Sequence, residues 1–458
     1  MFLTQQPCPP LQSGEGGLQS ASGDAGILGR IRKVLDRRLA PASDAPLAVA
    51  FSGGGDSLAL LLAAQAWAQG AGRRIVALTV DHGLQPQSAA WTLGAAATAR
   101  KLGAEARRLD WIGEKPQTGL PAAARRARHA LLAEAAREAG ARVILFGHTL
   151  DDELEAQLMR REGSTLGGLA EWGPSPAWPQ GRGLFLLRPL LGMRRAALRR
   201  WLDGTGLDWI EDPANDDPRS ARARARRRVR ESALEQGRSL EDRASLGGQR
   251  TEPDVAALAR RAFADRFGVI RIPREAFRTA SFDAALRFTA LACVCAGGGE
   301  GRPRGARILR LTWRLAQDEV FATTLAGARI EAGKDQVRFL RDAGEAARGG
   351  LQPLALSPGR AAVWDGRFEV RAEGPGVTIL ALKGRMTRLS GADRTALKAA
   401  PAAARPTLPV ATAPANGESL ICPILTQGGK VHVRSLVGER LSAACGMIAQ
   451  EDHANLRH

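Results

Sequence analysis

The sequence predicts an α/β fold: a doubly wound parallel sheet, then a helical middle region and a small α+β C-terminal domain. Over the first half of the chain, short apolar runs typical of buried strands alternate with helical patterns, an order that favours a parallel sheet covered on both faces. Three consecutive glycines follow the first of these runs and precede a helix. After residue 209 the alternation stops, which marks the end of the sheet-forming part.

The predicted elements follow from the spacing of apolar residues. Residues 47–51 form a continuous apolar run after Pro46, as expected for a buried strand, whereas the apolar positions of residues 27–39 have helical spacing. Further helices are predicted over residues 57–69, 89–102, 122–139, 151–161 and 193–205, and further strands over 74–80, 105–111, 142–146 and 184–187. These strands and helices make up the predicted sheet domain.

Composition divides the chain into four segments. Residues 1–26 are rich in Gly, Ser, Gln and Pro without periodicity, which predicts a disordered leader. Residues 27–230 form the sheet domain, which closes with an acidic turn and an arginine run. Residues 231–345 are predicted to form a mostly helical domain, and residues 346–458 an accessory domain with short alternating segments.

The charge balance points to a polyanionic partner. The 458 residues carry 65 Lys plus Arg against 47 Asp plus Glu, a net charge of +18, while 44% hydrophobic residues indicate a folded protein. No apolar run approaches the ~18 residues of a membrane span, and the N-terminus lacks the pattern of a secretory signal. The five cysteines are too scattered for a disulfide framework, so we expect a cytoplasmic protein.

The strongest local signal is the glycine loop, residues 52–57, which reads Ser-Gly-Gly-Gly-Asp-Ser between a strand and a helix. Glycines allow the backbone N–H groups to approach a ligand closely, and the helix start adds its positive dipole end. The hydroxyls of Ser52 and Ser57 can donate to phosphate, and Asp56 can hold Mg²⁺. The candidate nucleotide-binding residues here are Ser52, Gly53, Gly54, Gly55, Asp56 and Ser57.

The loop differs from two common nucleotide motifs. It has no Gly-Lys-Ser/Thr, and its glycines are contiguous, so it is neither a Walker A loop nor a Rossmann fingerprint. A bare glycine triplet after a strand is often only a tight turn, but the flanking serines and the internal acid favour a phosphate site. The loop resembles the Ser-Gly-Gly-x-Asp-Ser motif of the PP-loop, or N-type, ATP pyrophosphatase superfamily.

Two further strand ends carry polar residues. Asp81 and His82 follow the second strand, at the sheet edge where open α/β folds bind ligands, and we expect them near the adenosine phosphates. Taken singly, they could also be turn and cap residues. Strand four leads into His148 and the acidic residues Asp151, Asp152 and Glu155, and we expect His148 and Asp152 to lie near the glycine loop. The three acids of the first helical turn, Asp151, Asp152 and Glu153, could also be explained by favourable interaction with the helix dipole.

These segments together resemble the tRNA(Ile)-lysidine synthases of the PP-loop superfamily. The similarity runs in order through residues 52–57, 80–88, 122–132, 147–155, 163–169, 187–191 and 209–215 with the arginines after it. It covers about residues 27–230 and is looser beyond. Where the family usually has His-His-x-Asp-Asp-Gln-x-Glu-Thr, this chain has His148-Thr149-Leu150-Asp151-Asp152-Glu153-Leu154-Glu155-Ala156, and its arginine run departs from the usual Arg-Asn-x-x-Arg.

The resemblance implies a reaction. Lysine would be ligated to C2 of the wobble cytidine of tRNA(Ile) with a CAU anticodon, through an adenylated cytidine, with release of diphosphate and AMP. ATP and Mg²⁺ would be required, and residues 231–345 would bind tRNA or link the domains. The implied roles are metal binding for Asp56 and Asp152, lysine binding for Asp151, Glu155, Glu211 and Asp212, proton transfer or positioning for His148, and phosphate binding for Arg188 and Arg219.

The arginine run that follows the acidic turn contributes much of the local positive charge. On a helix, Arg219, Arg222, Arg226 and Arg230 share one face, with Arg224 and Arg228 alongside. A charge run is usually a solvated helix face, but arginine suits bidentate contacts with phosphate, so we expect RNA or ATP phosphates as its partners. Arg302, Arg304, Arg307, Arg310 and Arg314 form a second basic stripe.

The sequence also bears on functions other than lysidine formation. PP-loop tRNA thiolases use catalytic cysteines, but this chain has none between Cys8 and Cys293, and Cys293 with Cys295 lacks zinc-site partners and is expected in the core. A non-catalytic RNA- or nucleotide-binding protein and another PP-loop tRNA-modifying enzyme stay open as alternatives. The sequence implies no protein partner and leaves the oligomeric state open, a homodimer included.

Overall fold

The sheet domain has the predicted order of elements. The structure is a computed structural model that describes residues 21–164, 167–212, 220–235, 252–317, 319–412, 420–425 and 429–451. Most of the predicted leader, residues 1–20, lies outside the described residues, and the first helix begins at Ala21. No helix of the described residues is long and apolar enough to cross a membrane.

Six strands form the central sheet in the order β3-β2-β1-β4-β6-β5. They are β1 Leu47–Ala50, β2 Ile75–Asp81, β3 Glu105–Asp110, β4 Val143–Phe146, β5 Trp172–Pro174 and β6 Phe185–Leu187. The five predicted strands pair in parallel, as the alternating pattern requires. Strand β5 was not predicted; it adds an antiparallel edge to β6, and its three residues are too few to give a periodic signal.

Helices cover both faces of this sheet. They are α1 Ala21–Arg38, α2 Gly55–Ala71, α3 Ser88–Lys101, α4 Leu120–Glu138, α5 Leu150–Arg161, α6 Arg195–Asp203 and α7 Ala221–Glu235. Helices α1, α2, α3 and α6 share one apolar core with the sheet, and α4 packs on the other face. Because the strands are parallel, the segments that follow β1, β2, β4 and β6 meet at one edge, where the candidate site lies.

The middle unit combines helices with a five-stranded sheet of order β7-β8-β11-β10-β9. Its elements are α8 Glu252–Ala259, β7 Phe263–Ala264, β8 Ile270–Pro273, α9 Glu275–Thr279, α10 Phe282–Gly297, α11 Ala306–Leu315, β9 Phe321–Leu325, β10 Ala328–Ala332 and β11 Gln336–Arg341. The short strands β7 and β8 interrupt a stretch predicted as mostly helical. Cys293 and Cys295 are buried in the core of this unit, as predicted.

The C-terminal unit contains two small antiparallel sheets, in the orders β12-β15-β16-β17 and β13-β14-β18. The elements are β12 Leu354–Ala355, β13 Ala361–Trp364, β14 Phe368–Ala372, β15 Thr378–Ala381, α12 Gly391–Ala396, β16 Pro409–Thr412, β17 Leu420–Ile421, β18 Val431–Ser435 and α13 Val437–Ala444. Helix α13 packs into the core of the middle unit. Residues from both β-sheets share a separate apolar core.

Candidate active site

The glycine loop adopts the strand, loop and helix geometry that the sequence predicted. Gly53 has φ of +81°, in the left-handed region, and α2 begins at Gly55. The Oγ atoms of Ser52 and Ser57 lie 3.1 Å apart, and Ser57 Oγ donates to the Gly54 carbonyl at 2.8 Å. The two hydroxyls therefore flank the start of α2, where its backbone N–H groups favour an anion.

Packing provides a second reason for glycine in this loop. The Ile210 backbone N–H donates to the Gly53 carbonyl at 2.9 Å. A Cβ atom on Gly53 would lie 2.6 Å from Ile210 Cδ1, and one on Gly55 would lie 3.4 Å from the Trp209 ring. The segment after α6 thus closes directly on the loop, an approach that a side chain at Gly53 would block, whereas a Cβ atom on Gly55 would only contact the Trp209 ring.

A close approach also joins β4 to the loop. A Cβ atom on Gly147 would lie 3.1 Å from the Asp56 carbonyl oxygen. Glycine at this position lets the turn between β4 and α5 lie against the start of α2. The next residue, His148, and the first turn of α5 are thereby held beside the glycine loop.

Arg195, the first residue of α6, is the hub of the site's charges. Its Nε donates to Asp56 Oδ2 at 2.8 Å, and its two Nη atoms lie 3.3 Å from Asp152 Oδ1 and from Glu155 Oε1. Its backbone N–H donates to Asp151 Oδ2 at 2.7 Å. One guanidinium therefore links the loop acid to the acids of α5.

Two arginines of α7 complete this network. Arg222 donates to Asp152 Oδ1 at 2.5 Å and to Glu155 Oε2 at 3.1 Å, and Arg226 Nε donates to Glu155 Oε1 at 3.0 Å. Glu155 is 1% exposed. The helical arginine run is confirmed for the described residues, but these two side chains neutralise buried carboxylates of the same chain, whereas the sequence suggested contacts with RNA.

Asp152 has a structural role in addition to its charge. Thr149 is the N-cap of α5, and Asp152 Oδ2 accepts from both its backbone N–H and its hydroxyl, at 2.8 and 2.9 Å. This capping box fixes the carboxylate at the helix start. Burial alone would raise the pKa of Asp152, but Arg195 and Arg222 lower it to about 2, so the group is ionised at neutral pH.

His148 lies between an aromatic ring and an arginine. Its ring stacks on Phe146 with centroids 5.6 Å apart, and Arg188 Nε donates to its Nδ1 at 3.1 Å. Arg188 also donates to the Ala170 carbonyl at 2.6 Å. Burial, reinforced by the Arg188 charge, lowers the pKa of His148 to about 3. The imidazole is therefore neutral at pH 7, with Nδ1 as an acceptor.

Comparisons with known proteins agree with this arrangement. A family model described as a PP-loop domain matches residues 29–233, a range that contains the glycine loop, α5 and Arg195. The tRNA(Ile)-lysidine synthase of Caulobacter vibrioides is 50% identical over 93% of this chain and 99% of its own length. That of Hyphomonas neptunium is 38% identical over 69% of this chain and 86% of its own. This chain belongs to the tRNA(Ile)-lysidine synthase family.

Among solved structures, a U34-tRNA thiolase NcsA from Methanococcus maripaludis with its [4Fe-4S] cluster is similar at 16% identity. The similarity covers 49% of this chain and 78% of that chain, with a TM-score of 0.41.

The other predicted residues of this tRNA(Ile)-lysidine synthase family member that the structure describes lie at the end of β2, after α6 and on α7. Asp81 accepts from the Gly83 backbone N–H at 2.8 Å and from Arg108 at 3.0 Å, while His82 contacts the Trp111 ring edge-on. Glu211 pairs with Arg199 at 2.8 Å and accepts from Trp209 Nε1. Asp212 follows it, and Arg224 is an exposed residue of α7. Arg219 lies outside the described residues.

Three arginines of the site were not predicted from the sequence. Arg195 begins a helix with ordinary amphipathic spacing, so nothing local marks it as the hub. Arg125 and Arg128 lie on α4, and Arg128 Nε has no hydrogen-bond partner among the described residues. Burial, with the neighbouring charges of Arg125 and Arg222, lowers the pKa of Arg128 to about 10. The i,i+3 spacing of these arginines inside the segment that resembles the family was the available signal.

A buried histidine behind the site predicts acid sensitivity. His129 is 4% exposed, stacks on Phe146, and has no partner among the described residues for either ring nitrogen. Burial, followed by the charges of Arg128, Arg125, Arg188 and His148, lowers its pKa to about 2.

Because only the unfolded state then gains a proton below pH ~6.5, stability falls as the pH falls towards 2. From pH 7.5 to pH 5, we expect His129 to account for about 2 kcal/mol of lost unfolding free energy. His129→Phe should lose less on acidification than the wild type in urea titrations, whereas His432→Phe, at an exposed histidine, should match the wild type. Equal pH dependence of all three proteins would contradict this prediction.

Proposed function

We propose that this protein ligates L-lysine to C2 of cytidine 34 in tRNA(Ile) with a CAU anticodon, consuming ATP and releasing AMP and diphosphate. The observation that carries the proposal is similarity over 93% of the chain to the tRNA(Ile)-lysidine synthase of Caulobacter vibrioides, combined with an intact glycine loop whose acid is linked through Arg195 to the carboxylates of α5. The basic protein would act in the cytoplasm, where its tRNA substrate is located.

The nucleotide end of the site supports the first half-reaction. The glycine loop with Ser52 and Ser57 would bind the β and γ phosphates of ATP at the N-terminus of α2. The C2 oxygen of cytidine would then attack the α-phosphorus, and the bond to diphosphate would break. Negative charge builds up on the departing diphosphate, and Arg128 and Arg188, buried cations beside Asp152 and His148, are the proposed groups that stabilise it.

The carboxylates fit a magnesium ion bound together with ATP. Burial raises the pKa of Asp56 in spite of its bond to Arg195, so its negative charge is not fully compensated. Mg²⁺ is usually held by one or two carboxylates plus phosphate oxygens and water. No group of three or more His, Cys, Asp or Glu among the described residues forms a metal site. Asp56 and Asp152 would hold the ion, which would neutralise phosphate charge. Both Asp152 oxygens accept hydrogen bonds here, so Arg195 and Arg222 would have to release Oδ1 to the ion.

The second half-reaction needs a neutral lysine amine at C2 of the adenylated cytidine. Its nitrogen would form the new bond as AMP departs, and the proton it loses must pass to a nearby base. His148 is neutral at pH 7, but its lowered pKa makes it a weak base, so we assign it a positioning role and expect the proton to pass to a carboxylate of the site or to water. Asp151, Glu155, Glu211 and Asp212 are candidates for binding the lysine ammonium groups. Because Asp151, Glu155 and Glu211 contact arginines here, lysine would have to compete with those arginines for them.

The basic stripe on α11 is the proposed contact with the tRNA backbone. Leu309 and Trp313 on this helix are 44% and 59% exposed, and Arg307 and Arg310 are exposed beside them. No Asp or Glu occurs between residues 301 and 317. Exposed arginines around an exposed aromatic ring suit phosphate contacts together with stacking on a base or ribose.

Reversing the charge of this stripe should weaken tRNA binding. We expect Arg307→Glu/Arg310→Glu to lower the tRNA affinity by about tenfold or more at moderate salt and to flatten the salt dependence of the binding constant. The affinity and its salt dependence are both measured by filter binding at about 50 to 200 mM salt, a range over which phosphate contacts strongly affect affinity. The control is Arg100→Glu/Lys101→Glu in the exposed last turn of α3, which makes the same change in charge at the sheet edge opposite the glycine loop. It should bind tRNA with nearly wild-type affinity.

The deciding experiment incubates the protein with unmodified tRNA(Ile) bearing a CAU anticodon, ATP and labelled lysine. The proposal predicts stoichiometric diphosphate release and lysine incorporation, and neither with tRNA(Met), which carries the same anticodon. If neither product forms with tRNA(Ile), the proposed enzymatic function is wrong and a non-catalytic RNA-binding protein is favoured. Diphosphate release without lysine incorporation would point to another tRNA-modifying reaction.

A further inference from the structure

A buried ion pair joins two residues that are 378 positions apart in the sequence. Arg73, between α2 and β2, donates to both carboxylate oxygens of Glu451, at 2.7 and 2.9 Å, and both side chains are 0% exposed. Arg73 also donates to the Ala45 carbonyl at 2.9 Å and to the Ala40 carbonyl at 3.2 Å. Four of the five N–H donors of this guanidinium are thus used at one edge of the sheet domain.

The segment that carries Glu451 makes further backbone contacts with the same surface. The Glu451 N–H donates to the Arg38 carbonyl at 2.7 Å, and Arg38 Nη1 donates to the Ala449 carbonyl at 2.6 Å. Trp172 Nε1, on the edge strand β5, donates to the Ile448 carbonyl at 2.8 Å. We call residues 445–451 the clasp, because they fasten the end of α13 to the sheet domain.

The clasp links three units of the molecule. Helix α13, which precedes it, packs against α10 in the core of the middle unit, and Arg440 donates to the Gly299 carbonyl at 2.7 Å. The C-terminal unit contacts the sheet domain separately, where Arg182 donates to Glu369 Oε2 at 2.6 Å and Trp178 donates to the Gly366 carbonyl at 2.8 Å. The clasp and this separate contact together fix where both later units sit relative to the sheet.

The ion pair lies at the edge of the sheet opposite the candidate active site. Arg73 precedes β2, so it lies at the amino edge of the sheet, whereas the glycine loop and Asp152 lie at the carboxyl edge. A fully buried pair contributes little net stability compared with apolar side chains of similar size, but its bidentate geometry is satisfied in only one arrangement of the partners. An ionic pair at this position is suited to setting one geometry between units.

We propose that Arg73 and Glu451 are positioning residues for the tRNA substrate: the clasp holds the middle and C-terminal units so that a tRNA bound on them presents its anticodon at the glycine loop. This inference rests on the proposed function. It predicts that breaking the pair affects the use of tRNA, a large substrate that spans units, more than the use of ATP or lysine, which bind within the sheet domain.

The test compares two variants of the full chain. Glu451→Gln keeps the side-chain shape but leaves Arg73 as an unpaired buried charge, while Arg73→Met/Glu451→Leu replaces both charges with apolar groups. For both we expect the KM for tRNA(Ile) to rise about tenfold or more, with the KM for ATP and for lysine within about twofold of wild type. The double variant should regain thermal stability relative to Glu451→Gln, yet keep the raised KM for tRNA.

The outcomes discriminate between roles. Recovery of both stability and tRNA KM in the double variant, or an unchanged tRNA KM in Glu451→Gln, would reduce the pair to a structural role and overturn the proposal. If Glu451→Gln does not fold, the double variant alone carries the comparison. Glu373→Gln, at an exposed carboxylate of the C-terminal unit that contacts His432, is the matched control and should behave as wild type.

A measurement independent of turnover keeps this inference separate from the proposed function. Small-angle scattering of Glu451→Gln should show a larger radius of gyration than wild type, because only the separate contacts of Arg182 and Trp178 and the backbone bonds of the clasp would still hold the later units against the sheet domain. If the wild-type protein forms no lysidine, the proposed function fails, while an expanded Glu451→Gln would still show that the clasp sets the geometry. Identical scattering from both proteins would contradict the clasp itself.

Discussion

Asp56→Asn should reduce lysidine formation by on the order of a thousandfold or more while leaving tRNA binding intact. The carboxylate sits in the glycine loop at the first turn of α2, where we propose that it holds Mg²⁺ against the ATP phosphates. An amide has no charge to balance the cation. It can still accept from Arg195 through its oxygen, and Arg195 keeps its bonds to Asp152 and Glu155, so the fold should survive.

Diphosphate release, lysine incorporation and tRNA affinity are measured on the same protein preparation. Asp110→Asn is the control, because Asp110 is an exposed acid at the end of the neighbouring strand β3 and pairs only with Arg108 among the described residues. We expect the control to retain wild-type turnover. Normal turnover in Asp56→Asn would remove this residue from the mechanism, and a parallel loss of tRNA binding would indicate a disrupted fold.

Arg195→Met should cost both stability and activity. The side chain is the link between Asp56, Asp152 and Glu155, and removing one partner of a buried ionic network costs about 3–5 kcal/mol. Burial alone would lower the pKa of Arg195, but Asp152 and Asp56 raise it above its usual value, which shows how strongly these carboxylates stabilise its charge. Asp56 would lose its arginine partner, and its pKa would rise further.

Urea unfolding at pH 7.5 measures the loss of stability, and steady-state kinetics measure the loss of kcat, which we expect to exceed a hundredfold, on the scale of a misplaced catalytic group. Arg200→Met replaces an exposed arginine on the same helix, α6, and should stay within about 0.5 kcal/mol of wild type. If Arg195→Met were as stable as Arg200→Met, the network would not be a stabilising unit and the assignment of Arg195 as its hub would be wrong.

Much of the sheet domain was predictable because its signals are local. Each parallel strand is a short apolar run, each helix has its own spacing, and a parallel sheet must bring the segments after β1, β2 and β4 to one edge. The sequence therefore predicts the glycine loop, Asp81, His148 and Asp152 at that edge, and β1, β2 and β4 are parallel, as this prediction requires. Strand β5 was missed because it has three residues, and β7 because it has two.

The sequence by itself determined the family, the glycine loop and the set of acids beside it, because these depend on residues close together in the chain and on strand order. Only the tertiary structure decided which charges meet. Arg222 and Arg226 were predicted to contact RNA or ATP phosphates; here Arg222 pairs with Asp152 and Glu155, and Arg226 pairs with Glu155. The partner of Arg73 lies 378 residues away. Such pairs depend on how helices and domains pack, and no local periodicity encodes that packing.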